Sequence, residues 1–262
     1  MDFSRPAVMG IVNLTPDSFY PASRSLTVDG EALARRVEQM VADGATIIDV
    51  GAVSTRPGAT DVAASEEMRR LDWGLPIVVA SAGGCSISVD TFRADVARHV
   101  VERYGVDIIN DVSGGADADM FSTVARLGVA YVLTSCSTVG AADAYDVVRT
   151  DLVQGVGRLR QHGVRDVIAD PGYGFGKTLA QNYAVFARQG ELVADVGCPL
   201  LVGISRKSMI YRLLATDPDH SLAGTTALHA IAFMQGASIV RVHDVREAVD
   251  AMRVACAVAS AR

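Results

Sequence analysis

The chain has 262 residues, a length that suits one large α/β domain or two small ones. Half of its residues are hydrophobic and 6% are aromatic, so the core is expected to be built from Ala, Val, Ile and Leu. A net charge of −6 argues against non-specific binding to nucleic acid or acidic lipid, while leaving room for basic groups clustered at a phosphate.

Short apolar runs of the buried-parallel-strand type recur along the whole chain. The first, AVMGIVNL (7–14), carries Asn13 near its end and is followed by helical spacing from Glu31 to Asp43 and then Gly44. TIIDV (46–50) carries Asp49 near its end, and PIVVA (76–80) reads as the tail of the next helical segment. SISVD (86–90) ends in Asp90 and precedes a helical segment from Ala94 to Tyr104. DIIND (107–111) ends in Asn110 and Asp111, with helical spacing from Ala118 to Leu127 after it. AYVLT (130–134) ends in Thr134 and Ser135 and is followed by a helical segment from Leu152 to Gln161. DVIAD (166–170) ends in Asp170, and LLVGI (200–204) leads into Ser205, Arg206 and Lys207. Helical spacing from Leu222 to Gln235 then precedes SIVRV (238–242), which brings Arg241 and His243. Several of the helical segments are followed by Gly just before the next strand, the usual residue after a helix C-terminus.

Eight strands alternating with helices in roughly 250 residues is the size of a TIM barrel, so a single (β/α)8 domain over residues 1–262 is expected. A doubly wound open sheet is the alternative. Polar residues stand at the C-terminal end of each strand, and the N-terminal ends carry no such set. In a barrel those C-terminal ends and the loops after them form the active site. One Asp after a strand reads as a helix N-cap, but eight polar ends on one face do not. No basic segment leading into an apolar one follows Met1, and no apolar run approaches a membrane span, so a cytoplasmic protein is expected. Cys85, Cys136, Cys198 and Cys256 lie far apart without zinc spacing, which reads as reduced thiols.

The stretch IADPGYGFGKT (168–178) ends like a phosphate-binding Walker A loop. That loop needs four residues between its first glycine and its Gly-Lys-Thr, which puts Pro171, with no N–H to offer, where the glycine should stand, and Gly172 one residue too close. Another explanation is needed for this strand and its aspartate.

MGIVNLTPDSFY (9–20), STRPGA (54–59), ISVDT (87–91), IINDVSG (108–114), ADPGYGFGKT (169–178), LVGISRKS (201–208) and VRVHDV (240–245) resemble, in order, the dihydropteroate synthase family. The resemblance implies a TIM barrel that condenses hydroxymethyl-dihydropterin pyrophosphate with para-aminobenzoate in folate biosynthesis, a step targeted by sulfonamides. It implies pterin binding by Asp90, Asn110, Asp170 and Lys207, with Asp170 kept ionised by the lysine. These residue types suit the task, because a pterin edge offers several N–H donors and a buried donor left unpaired costs about 1–3 kcal/mol. Arg241, His243 and Arg56 supply positive charge or hydrogen bonds for the pyrophosphate, and Asn13 offers its carbonyl oxygen to Mg²⁺. Thr55, Pro57 and Ser208 are implied in the aminobenzoate pocket, with Arg206 beside it, and Asp17 belongs to a loop that closes over the site. Asp90, Asp170, Lys207 and Arg241 form the expected catalytic set. No protein nucleophile is required.

The chain departs from the family after its fifth strand, where Thr134, Ser135 and Cys136 replace the usual Met-His-Met, and at Ala52-Val53, where Gly-Glu is common. Two other readings stay open, a non-catalytic pterin-binding paralogue and a methyltetrahydrofolate-dependent methyltransferase. The second has no need of SRKS, VRVHDV or STRPG. His99, His162, His220 and His229 read as surface or helix residues, and Trp73 as packing. The family is commonly dimeric, so a homodimer is expected, and MRVACAVA (252–259) can either serve it or cover the barrel.

Overall fold

The computed structural model describes residues 3, 5–14, 30–53 and 62–261. Eight strands alternate with helices along them: β1 (Ala7–Asn13), α1 (Gly30–Ala42), β2 (Ile47–Gly51), α2 (Ala64–Ser81), β3 (Ser86–Asp90), α3 (Ala94–Tyr104), β4 (Ile108–Asp111) and α4 (Met120–Leu127) form the first half. The second half runs β5 (Ala130–Thr134), α5 (Ala144–Gln161), β6 (Val167–Asp170), α6 (Leu179–Ala187), α7 (Gln189–Val196), β7 (Leu201–Val202), α8 (Ser208–Tyr211), α9 (Leu222–Met234), β8 (Ile239–Val242) and α10 (Val245–Ser260).

Every strand pairing is parallel, in the order β6-β5-β4-β3-β2-β1-β8-β7. The two outer strands meet at a bridge between Ala169 and Leu200, where the Ala169 N–H donates to the Pro199 carbonyl at 2.9 Å. The sheet is thus a (β/α)8 barrel and the open-sheet alternative falls. PIVVA lies inside α2, so it adds no ninth strand. Two expectations about length change. The segment expected from Leu152 begins at Ala144, because Asp143 accepts from the Tyr145 and Asp146 N–H groups and caps the helix early. The run expected at 200–204 yields a strand of two residues, because the chain turns at Ile204, whose carbonyl accepts from the Lys207 N–H. Glycine ends α3 and α4 as expected: Gly105 and Gly128 take φ of 67° and 70° and donate back to Val101 and Val124.

Strand alternation sorts the apolar residues into two cores. Met9, Ile47, Ile108, Val132, Ile168 and Ile239 fill the barrel lumen, and Val8, Val12, Ile48, Val50, Val89 and Ile109 face the helices. The lower lumen is therefore a packed floor, and polar residues begin one alternation step above it. No helix among the described residues is long and apolar enough to cross a membrane.

One buried ion pair fixes a helix against a site strand. Glu67 of α2 is fully buried and pairs with Arg93, three residues after Asp90, while Arg93 Nη2 donates to the Val62 carbonyl at 2.7 Å. Removing one partner of a buried pair costs about 3–5 kcal/mol. Glu67→Ala should lower the unfolding free energy by that amount in urea, and an unchanged denaturation midpoint would show that the pair contributes nothing.

Candidate active site

The lumen-facing residue near the C-terminal end of each strand follows from the alternation. Above Ile47 comes Asp49, above Ile108 comes Asn110, above Val132 comes Thr134, above Ile168 comes Asp170, and above Ile239 comes Arg241. Asp49 is completely buried and anchors the group: Ser88 Oγ donates to its Oδ1 at 2.5 Å, and Asn110 Nδ2 and Arg241 Nε donate to its Oδ2 at 3.1 and 2.6 Å. Arg241 Nη2 donates to Asp90 Oδ2 at 2.9 Å, so one guanidinium spans two carboxylates. Asn110 Oδ1 is buried with no protein partner, as is Thr134 Oγ1.

Asp170 sits on the other wall. Its Oδ1 accepts from the Gly172 N–H at 2.8 Å, and Lys207 stands near its other oxygen, both lying within 4 Å of the point where a Cβ on Gly203 would be. Lys207 Nζ donates to the Tyr173 carbonyl at 2.6 Å and lies 4.9 Å from the Phe175 ring centre. Lys177, the lysine of the apparent Walker sequence, turns into its own loop and donates to the carbonyls of Gly172, Phe175 and Ser135 at 3.0, 3.0 and 3.3 Å. Gly172 has φ of 66°, and a Cβ there would stand 2.0 Å from the Ser135 carbonyl oxygen. The glycines let this loop pack on the β5 loop, and the lysine is held by carbonyls rather than aimed at a phosphate.

Burial pushes the Asp90 carboxyl up to about 7 against the pull of Arg241, with Asp49 and Asp111 adding to the rise. Burial also raises Asp170, opposed chiefly by Lys207, and lowers Lys207 to about 8 against the pull of Asp170. His243 is lowered to about 4 by burial and then by Arg241, so its imidazole is neutral near pH 7.

Among the sequence-predicted residues, Asp90, Asn110, Asp170, Lys207 and Arg241 come together in the upper lumen. Asn13 ends β1 beside them, with its Oδ1 and Asp90 Cβ 3.5 and 3.6 Å from where a Cβ on Gly51 would lie. His243 follows β8, its N–H donating to Ser205 Oγ at 3.2 Å and its carbonyl accepting from Arg36 at 3.1 Å. Ser208 opens α8. Arg206 is not directed into the lumen group: it forms a two-pronged pair with Asp244, both contacts at 2.8 Å, and donates to the Pro218 and Asp219 carbonyls. Thr55, Arg56, Pro57 and Asp17 lie outside the described residues. His229 is a helix residue as expected, but on α9 it is buried rather than at the surface. Sequence reasoning gave no role to Asp49 or Ser88, although a charged residue in the apolar run TIIDV was a signal for the first.

Fold and site together define a (β/α)8-barrel enzyme whose upper lumen holds an acid-rich, arginine-bridged polar pocket. A family described as pterin binding enzymes matches residues 9–243, and the chain belongs to it. The chain is 40% identical to the dihydropteroate synthase of Escherichia coli (strain K12), over 100% of this chain and 95% of that one. The structure of the Xanthomonas albilineans dihydropteroate synthase with 4-aminobenzoic acid superposes with a TM-score of 0.90 at 36% identity, covering 98% of this chain and 94% of that one. That of the Thermus thermophilus dihydropteroate synthase in complex with 6HMPPP does so with 0.85 at 37%, covering 98% and 96%.

The raised Asp90 carboxyl predicts that binding of a pterin against it depends on pH. A carboxylate accepts N–H donors when ionised, and Asp90 takes up its proton as pH falls through about 7. Affinity for a pterin lacking pyrophosphate should therefore drop about tenfold from pH 7.5 to 5.5. Lys207, at about 8, is mostly charged at pH 7.5 and gains charge as pH falls, so it does not produce this loss. Calorimetric titration checks this, and Asp90→Asn should flatten the profile. A flat wild-type profile would remove Asp90 from the pterin contacts.

Proposed function

We propose that this chain is a dihydropteroate synthase, joining hydroxymethyl-dihydropterin pyrophosphate to para-aminobenzoate with release of pyrophosphate and formation of dihydropteroate. The observation that carries the reading is the set of buried Asn110 and Asp170 with the largely shielded Asp90 and Lys207 at one end of the lumen, in which Asn110 Oδ1 has no protein partner. A buried amide oxygen is kept unpaired at a cost of about 1–3 kcal/mol unless a ligand N–H reaches it. A pterin edge supplies such donors. Full-length similarity to synthases supports the same substrate pair.

The reaction follows from the arrangement. Asp170 and Asn110 accept the pterin N–H groups, and Lys207 holds Asp170 ionised. Arg241 keeps Asp90 in place and presents positive charge toward the leaving pyrophosphate, with neutral His243 as a further hydrogen-bond partner. As the C–O bond breaks, its electron pair leaves with the pyrophosphate and positive charge spreads into the pterin, next to Asp90 and Asp170. The aniline nitrogen of para-aminobenzoate forms the new C–N bond and then loses a proton. Ser208 belongs to the aminobenzoate side by resemblance, together with Thr55 and Pro57. Arg56 joins the anion side.

Mg²⁺ fits this site as a shared ion rather than a caged one. No group of three or more His, Cys, Asp or Glu residues among those described is arranged to hold a metal, and Asn13 Oδ1 faces the lumen beside Asp90. Asn13 would hold the ion together with pyrophosphate oxygens, where it would neutralise leaving-group charge.

The protein acts as a homodimer in this reading. Ile231 and Met234 on α9 and Val254 and Val258 on the adjoining α10 are exposed apolar side chains, a patch suited to a second copy. Four free cysteines suit a reducing compartment, and we place the reaction in the cytoplasm.

Titration with the pterin pyrophosphate, followed by a pyrophosphate-release assay with para-aminobenzoate and Mg²⁺, tests the reading. Binding with release is expected. Binding without release would indicate a non-catalytic paralogue, and no binding would end the pterin assignment. Asp170→Asn removes one charge and nearly preserves shape, so it should weaken pterin binding by at least tenfold, the loss of a charge-assisted hydrogen bond of about 1.5–3 kcal/mol. Undiminished binding would mean that Asp170 does not touch the pterin.

A further inference from the structure

Thr134 ends β5 on the lumen side, one alternation step above the floor residue Val132. It stands in register with Asp170 on β6, so the two side chains share one wall. Thr134 is 1% exposed, and its Oγ1 has no protein partner. Its methyl carbon lies against Gly172, 3.1 Å from where a Cβ on that glycine would be. Asn110 Oδ1, on the strand paired with β5, is likewise buried and unpartnered. Two unpartnered polar atoms thus stand on the lumen side of neighbouring strands, Thr134 one alternation step above Val132, the register partner of Asn110. Buried hydroxyls are nearly always paired, so a ligand atom is the natural partner here.

We propose that the Thr134 hydroxyl recognises the pterin by donating a hydrogen bond to a ring nitrogen or carbonyl acceptor next to the N–H group that Asp170 accepts. This rests on the synthase reading and goes beyond it. On the resemblance, a methionine packs on the ring at this position, and an apolar contact there carries no hydrogen bond. Asp90, Asp170 and Asn110 Oδ1 supply acceptors on the lumen side. A pterin edge alternates donors with acceptors, so a hydroxyl beside Asp170 completes the complement. The threonine is then a specificity-determining group, not a truncated methionine that leaves the ring loosely held.

The test compares Thr134→Val with Thr134→Ser, using calorimetric titration of the intact protein with a pterin lacking pyrophosphate and, separately, initial rates with both substrates. Thr134→Val keeps the shape and removes the hydroxyl. It should weaken pterin binding about tenfold and raise the KM for the pterin substrate to match, with the KM for para-aminobenzoate unchanged. Its thermal midpoint should stay equal or rise, since an unpaired buried hydroxyl is lost, and a purely structural role for Thr134 would instead lower it. Thr134→Ser should stay within about threefold of wild type. Wild-type affinity in Thr134→Val, or an equal loss in both variants, would overturn the proposal and leave the synthase reading intact. Failure of the wild-type protein to bind the pterin at all would overturn both.

Discussion

Arg241 holds together a set of charges that water would otherwise keep apart. Its guanidinium reaches Asp49 through Nε and Asp90 through Nη2, inside a barrel mouth where both carboxylates are largely shielded. Burying a carboxylate costs several kcal/mol, recovered only when charge and hydrogen bonds both meet it. Asp49 meets that condition with three donors from three strands, Ser88 on β3, Asn110 on β4 and Arg241 on β8. The consequence reaches every residue that faces the ligand. Asn110 has its amide nitrogen held by Asp49, which leaves its buried carbonyl oxygen without a protein partner. Asp90 has one oxygen held by Arg241, which orients its carboxyl plane. The pocket is thus preorganised from below by a residue with no direct part in the chemistry.

Space in that pocket comes from side chains that are missing. Gly51 and Gly203 are lumen-facing positions on β2 and just after β7. A Cβ on the first would fill the space beside Asn13 Oδ1 and Asp90 Cβ at ordinary contact distance, 3.5 and 3.6 Å, and one on the second would stand 3.7 Å from Lys207 Nζ. On the opposite rim, the glycine-rich loop after β6 folds over the β5 loop and is pinned by Lys177 through three carbonyls. Asn182 adds a further tie by accepting from the Gly174 N–H at 2.7 Å. The loop that delivers the Tyr173 carbonyl to Lys207 is therefore rigid, and so is the distance between that lysine and Asp170.

Much of this was legible in the sequence, for a physical reason. Parallel strands buried on both faces read as unbroken apolar runs, so a polar residue inside or just after such a run has to face the lumen or cap a helix. Asp90, Asn110, Asp170, Lys207 and Arg241 were found that way. Asp49 met the same criterion but received no role, because its value depends on partners 39, 61 and 192 positions away. The destination of Arg206 was hidden for the same reason. The resemblance set it beside the aminobenzoate pocket, whereas in the structure its φ is 54° and its side chain pairs with Asp244 and donates to the carbonyls at 218–219. The short β7 and the break between α6 and α7 depend on where tertiary contacts end an element, and composition carries little of that.

The electrostatic state of the resting pocket suits the step it has to serve. Asp49, Asp90 and Asp170 face two cations, Lys207 and Arg241, leaving an excess of negative charge in a place of low polarity. Burial expresses that excess as a carboxyl at about 7 on Asp90 and a raised Asp170. Both carboxylates are therefore held in a state less favourable than in water. On the proposed reading, positive charge spreading into a pterin beside them relieves that penalty, and the relief grows as the C–O bond breaks. A neutral ground-state ring gains much less. The acidity that burial makes costly is, on that reading, the same property that favours the cationic stage over the bound substrate, which is the condition for acceleration rather than tight binding alone.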